Sequence, residues 1–313
     1  FESDRTILTF QNEQNDDIIL VGNIAFDDQR RRLWQNNDMN TDGVFDEGQI
    51  IAFGCEPTYT AWGAPTGFHR RSLLRINPAK GVTQEKILVS EGMSMSFCEG
   101  SNSGIFPHTI DGDTLFVAGP DTLYALNKRT GEKRWSYDAP TGYQFAGKPV
   151  KSKQNQLLVT INPLYTSWHG EVVSLDTDKQ KEVCRFKPSY GFIVPRVPVI
   201  APDGMLRMVI GGSQTTFEYS VDPSNCTIRF MQELWDGISL TAVDSSRLYL
   251  KERGRLIGRG FDSKTVHWVA NFGDDQNTAN WYKIALGQEG TIYVVTGPYL
   301  LTLTSEGKEI LRY

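Results

Sequence analysis

Residues 123–135 read Leu-Tyr-Ala-Leu-Asn-Lys-Arg-Thr-Gly-Glu-Lys-Arg-Trp. Leu123, Ala125 and Asn127 alternate with Tyr124 and Leu126, as in a strand buried on both faces. Asn127 can accept bonds from the backbone of the turn that follows it. Thr130-Gly131 gives that turn a residue free to take positive φ. A second strand then ends on Trp135, ten residues after the small Ala125. A small residue on one strand and a bulky one on the next predict a ring that packs against a neighbouring sheet.

Six further segments repeat the pattern, some weakly. They are Asn23–Trp34, Leu74–Gly81 (followed by Ile87-Leu88), Val173–Cys184, Ser220–Phe230, Gly260–Trp268 and Leu303–Leu311. Their bulky ends fall at 34, about 85, 135, 184, 230, 268 and 311, so successive copies are 38 to about 51 residues apart. A turn cluster and a β-branched or aromatic run precede most copies, as at Asp17–Val21, Thr114–Ala118, Gln156–Thr160, Met205–Ile210, Arg247–Leu250 and Thr291–Val295. Two hairpins per repeat predict a four-stranded antiparallel sheet. One such sheet has two apolar faces and two open edges; seven arranged radially bury face against face.

The best copy resembles the repeat of the quinoprotein-like (PQQ-like) β-propeller family, Ala-x-Asp-x-x-Thr-Gly-x-x-x-Trp, with Asn127 in the Asp place. The expectation is an all-β chain folded as a single seven-bladed propeller over 1–313, with eight blades as the alternative. Irregular insertions are expected at about 48–72 and 91–106, where the hairpin signals fail. The resemblance also implies two branches of function. Quinone-dependent alcohol dehydrogenases of that superfamily are larger and eight-bladed and carry adjacent cysteines near the cofactor. This chain has no adjacent cysteines and no Cys-x-x-Cys-His haem motif, so PQQ is not expected as its cofactor. The non-catalytic branch includes the propeller lipoprotein of bacterial outer-membrane assembly and other extracytoplasmic scaffolds, which act through loops on one face of the disc.

Composition sets outer limits. The chain has 313 residues and a net charge of −5, with no long run of either sign. That pattern supports neither a nucleic-acid groove nor an anionic-membrane anchor. No apolar run approaches the roughly 18 residues of a membrane span. Phe1 is not an initiator, and the sequence reads as a processed or trimmed piece whose upstream anchor, if any, is out of view. His69, His108, His169 and His267 have no ligand-spaced partner in sequence, and no nucleophile elbow, phosphate loop or His-Glu-x-x-His is present.

The sharpest local signal is Asp38-Met-Asn40-Thr-Asp42-Gly43-Val44-Phe-Asp46-Glu47. Oxygen-bearing side chains at the first, third, fifth and ninth places, Gly at the sixth and the Val44 carbonyl at the seventh can wrap a hard cation. The segment resembles the calcium loop of integrin-type propellers. The expectation is a structural Ca2+ held by Asp38, Asn40, Asp42, Val44 and Asp46 between blades one and two. Gln49 stands where an EF-hand would need Glu.

Four cysteines, Cys55, Cys98, Cys184 and Cys226, form no Cys-x-x-Cys. Of the three possible connectivities, 55–98 with 184–226 joins neighbouring repeats in both bonds and is preferred. Disulfides together with a calcium loop point outside the cytosol, to a periplasmic, cell-surface or secreted setting. Strand alternation sends the connections into blades two and three to the same face. Tyr59, Trp62, Phe68, Met95 and Phe97 lie in or near that region, and aromatics and Met in long loops are candidate partner anchors. The expected function is a non-enzymatic scaffold binding another protein or a glycan. The alternatives are a PQQ-dependent dehydrogenase and a calcium-dependent glycan-binding or glycan-cleaving propeller.

Overall fold

A computed structural model describes residues 7–11, 17–27, 29, 31–39, 43–59, 62, 65–94, 108–119, 121–164, 170–188, 198–211, 216–234, 239–252, 254–262, 264–272, 282–287, 290–296 and 299–312. These form seven antiparallel sheets, each of four strands taken consecutively from the chain. Blade one is β1 (Ile7–Gln11), β2 (Asp17–Val21), β3 (Ile24–Phe26) and β4 (Arg32–Gln35). Blade two is β5 (Val44–Asp46), β6 (Gln49–Tyr59), β7 (Pro65–Ile76) and β8 (Thr83–Ser94). Blade three is β9 (His108–Asp111), β10 (Thr114–Ala118), β11 (Thr122–Asn127) and β12 (Lys133–Asp138). Blade four begins with β13 (Tyr143–Lys151) and ends with β16 (Lys181–Phe186); blade five runs from β17 (Val199–Ile200) to β20 (Thr227–Leu234). Blade six runs from β21 (Ser239–Val243) to β24 (Val266–Asn271), and blade seven from β25 (Tyr282–Leu286) to β28 (Glu309–Arg312). The seven-bladed propeller is the fold expected from the repeat, and eight blades are not formed.

Strand alternation explains why the second strands bury apolar residues on both faces. Ile18 and Leu20 pack towards blade two, with Ile50, Ala52, Leu74 and Ile76. Ile19 and Val21 point the other way, onto Ala285, Tyr293, Val295 and Leu300 of blade seven. The same division recurs around the ring: Leu126 joins the core shared with blade two, while Leu123 and Ala125 join the core shared with blade four. Every core cluster therefore lies between two blades, so each sheet depends on its neighbours. No strand is exchanged between the chain ends among the described residues. Among the described residues, closure includes the blade seven–blade one core, a bond from Thr9 Oγ1 to the Leu286 carbonyl (2.8 Å) and one from the Tyr293 hydroxyl to Asp17 Oδ2 (2.8 Å).

Turns at the end of the third strand carry the repeat's Asx residue. Asn127 Oδ1 accepts from the Arg129 and Thr130 amides, and Asn77, Asp176 and Asp262 do the same in their own blades, while Asp222 Oδ1 accepts from the Ser224 amide. The bulky end of one blade reaches across to this turn in the next. Trp34 sits opposite Ala25, and its Nε1 donates to the Pro78 carbonyl (2.7 Å). Gly81 passes under its ring: a Cβ there would lie 2.3 Å from Trp34. Trp268, opposite Gly258, bonds Ser305 (2.8 Å) over Gly307 in the same way. Between blades two and three, Arg75 replaces the indole, donating to the Lys128 carbonyl (2.5 Å) while paired with Glu85 (2.9 Å).

Between blades four and five the latch is covalent. Cys184 occupies the tryptophan position opposite Ser174, and Cys226 occupies the glycine position, at φ 57°. The two form a disulfide, as expected. Cys55 is also disulfide-bonded. Cys98, its expected partner, lies outside the described residues.

One expectation is corrected. Residues 48–72 are not an irregular insertion: β6 and β7 pair with each other from Ile50–Ile76 out to Tyr59–Pro65. The hairpin signal fails here in sequence, where a proline stands inside the run. Pro57 instead sits beside a bulge in the ladder, where a missing amide is tolerated. At Gly54 a Cβ would meet the Asp38 carbonyl at 2.8 Å, so glycine is needed inside the strand for close approach. In the second expected insertion, 91–106, β8 continues to Ser94, and 95–107 lie outside the described residues.

Candidate partner-binding site

Blade two is the odd member of the ring. Its last three strands have 11, 12 and 12 residues, whereas no strand described in the other blades exceeds nine. β5 covers only the start of β6, from Gln49 to Ile51. Ile50 to Gly54 are buried, Cys55 is half-buried and Glu56 is exposed. The five residues Cys55 to Tyr59, at about 3.3 Å each, carry the paired hairpin roughly 17 Å past Gly54. β8 pairs along the outer side of β7 as far as Phe68–Ser94, so the projection is three strands wide. Three paired strands satisfy most of their own backbone groups, which lets the sheet persist past the length of the other blades.

Trp62 lies between β6 and β7 and is 95 % exposed; no other large apolar side chain among the described residues exceeds 59 %. Of the other expected anchors, Tyr59 pairs with Pro65 and Phe68 with Ser94, which places both on this hairpin. Met95 and Phe97 lie outside the described residues. Alternation of strand direction puts the hairpin tip on the same face as the connections between blades.

The expected calcium loop is partly visible. Asp38 Oδ2 accepts from Thr83 Oγ1 (2.8 Å), and the Asp38 amide donates to Asn36 Oδ1 (2.8 Å). Val44 opens β5 and Asp46 closes it. Asn40 and Asp42 lie outside the described residues. Asp46 Oδ2 is paired with Lys128 Nζ at 2.7 Å, and Glu47 lies 3.1 Å from the same ammonium. The Lys128 side chain is only 4 % exposed. Burial alone would lower its pKa, but Asp46 and Glu47 outweigh that and hold it above the ordinary lysine value. A fixed positive charge therefore sits against the ninth place of the loop. No group of three or more His, Cys, Asp or Glu side chains is gathered for a metal among the described residues.

Other perturbed groups are structural. Burial, then the bond to Glu182 (2.9 Å), pushes the Tyr137 hydroxyl up to about 12. That contact links blade three to blade four.

The comparisons with known proteins bear on this architecture. Residues 21–183, just over half of the chain, match the PQQ_2 family model, described as outer membrane protein assembly factor BamB. The chain belongs to this family. Among solved structures, BamB from Moraxella catarrhalis aligns with a TM-score of 0.52 at 12 % identity, over 96 % of this chain and 80 % of that one. A europium-containing methanol dehydrogenase aligns at 0.55 and 9 % identity, over 87 % and 70 %. Kluyveromyces lactis Hsv2 aligns at 0.56 and 11 % identity, over 99 % of both chains. At these identities the structures establish the propeller fold alone. No curated protein matches the chain.

Within this PQQ_2 propeller, sequence reading located the blade-two aromatics but took their setting for a loop. It missed Lys128. The only local sign was a lysine in a turn otherwise built of exposed residues. Its partners are 82 and 81 positions away, on another blade.

Proposed function

We propose that this chain is a non-enzymatic, extracytoplasmic protein-interaction propeller that grips a partner protein through the blade-two hairpin. The observation that carries the reading is Trp62, an exposed indole between the two long paired strands of blade two. Tryptophan is among the side chains most enriched at interface hot spots. Membership of the PQQ_2 family and the kinship with BamB support a role in assembly through protein contacts. The disulfides support an oxidising compartment. A structural calcium in the 38–46 loop belongs to the same reading, supported by the order of oxygen ligands; Lys128 stands against full use of Asp46.

The test is site-specific photo-crosslinking in the native cell envelope, with the probe at position 62 and a control probe at Ile310, exposed on blade seven. The expected result is a discrete adduct from position 62 alone. Trp62→Ala should then weaken binding of the captured partner by about 30-fold or more, since hot-spot truncations cost about 2 kcal/mol or more. Equal labelling from both positions, or none from 62, would overturn the assignment.

A further inference from the structure

Lys128 belongs to blade three, yet its ammonium is held by blade two. The tight turn of Glu47 and Gly48, at φ 46° and 75°, follows Asp46 directly and sets both carboxylates at the end of that hairpin. Asp46 Oδ2 lies 2.7 Å and Glu47 Oε1 3.1 Å from Lys128 Nζ. The backbone of the lysine is tied down. Its carbonyl accepts from Arg75 (2.5 Å), and its amide donates to the Asp113 carbonyl (3.0 Å). Lys128 is therefore a fixed charge, and Asp46 is the more exposed of the pair, at 22 % against 4 %.

Asp46 is also the ninth place of the 38–46 loop, so one carboxylate has two claimants. A divalent cation on Asp46 would share that carboxylate with an almost wholly buried ammonium. Like charges that close repel strongly where water is scarce. A buried ammonium stripped of every carboxylate would be strongly destabilising. Here one of the two can leave. Glu47 Oε1 stays on Lys128, while its Oε2 is fixed by Arg129 Nη2 (3.0 Å). A cavity of about 510 Å³ opens beside Asp46, lined also by Glu47, Asp111, Asp113 and Lys128, and gives the Asp46 carboxylate room to turn.

We propose that Lys128 and calcium compete for the Asp46 carboxylate, so that a residue of blade three sets how tightly the loop between blades one and two holds its ion. The inference rests on the calcium reading of that loop. Calcium that takes Asp46 removes one of the two carboxylate links from blade two to Lys128. By reciprocity, whatever strengthens the lysine pair weakens the ion.

Calorimetric titration of the intact chain with calcium tests this, using the wild type, Lys128→Met, Asp46→Asn and the double variant. Lys128→Met should bind calcium at least tenfold more tightly than the wild type. The double variant should match Asp46→Asn within twofold, because the competition runs through Asp46; a charge effect that bypasses it would keep the full gain. A second reading needs no variant, should Lys128→Met not fold. Saturating calcium should shift the ε-methylene NMR signal of Lys128 and leave in place that of Lys179, which is paired with Asp176 on blade four. Equal calcium affinity in the wild type and Lys128→Met, a gain that survives Asp46→Asn, or a Lys128 signal unmoved by bound calcium overturns the competition and leaves the calcium site standing. Absence of calcium binding from all four proteins removes both.

Discussion

The disulfide between blades four and five provides a quantitative test of how the ring is held. Cys184 and Cys226 are 42 residues apart in sequence. Closing a loop of that length removes about 13 cal/mol/K from the unfolded chain in the loop-entropy treatment, or about 4 kcal/mol at 25 °C. Unfolding a chain this long carries an entropy of roughly 0.65 kcal/mol/K, so Cys184→Ala with Cys226→Ala should lower Tm by about 6 °C. The two positions are also those of the indole and the glycine in the Trp34 latch. Pro223, whose carbonyl lies 3.7 Å from Cys184 Sγ, corresponds to Pro78 in the turn. Cys184→Trp with Cys226→Gly should therefore rebuild the latch without a covalent bond. A docked indole buries about 150–250 Å², which at 25 cal/mol per Å² is an upper figure of about 4–6 kcal/mol. The assay is calorimetry of the wild type and both double variants, all oxidised so that the Cys55 disulfide stays constant. The Trp/Gly variant should recover at least half of the loss seen in the Ala/Ala variant. If it melts with or below the Ala/Ala variant, the two positions are not equivalent to a tryptophan latch and the reasoning fails.

Three more outcomes follow from the same contacts. Gly81→Ala forces a Cβ under Trp34 at φ 66° and should cost about 2–4 kcal/mol in urea unfolding. Gly204→Ala, at φ 80° with nothing within 4 Å of the added Cβ, should cost only about 1 kcal/mol, and equal costs would refute the packing argument. Calcium at 100 times its Kd should stabilise the protein by about 2.7 kcal/mol, or about 4 °C, in a way that Asp42→Ala abolishes; identical melting in calcium and in chelator would remove the site. The Asp262 carboxyl is held at about 2, first by the Thr265 hydroxyl and then by the Thr265 and Lys264 amides; Asp176 and Asp222 are also depressed. A depressed carboxyl stabilises the fold above its unfolded value near 3.9 and loses that contribution as pH falls through the folded value. Tm should fall between pH 4 and pH 2, and less steeply in Asp262→Asn, whose amide oxygen can accept the same backbone bonds as Asn77 and Asn127; parallel curves would refute this.

The sequence by itself determined the ring. Alternation in runs such as Asp17–Val21, the Asx turn at Asn127 and the bulky end at Trp135 are local signals, spaced within one strand or one turn. Their recurrence counted seven blades and set Cys184 and Cys226 at matching places in adjacent ones, so that bond was legible too. The hairpin of blade two was not, because Pro57 and Gly54 signal breakage in a single strand. Only the partner strands show that a bulge and a close approach make room for them. Lys128 with Asp46 depends on side chains from different blades meeting at a set distance. Local periodicity fixes what each strand buries. Which groups end up opposed across two sheets is decided when the ring closes, since only then does each blade's position constrain the next.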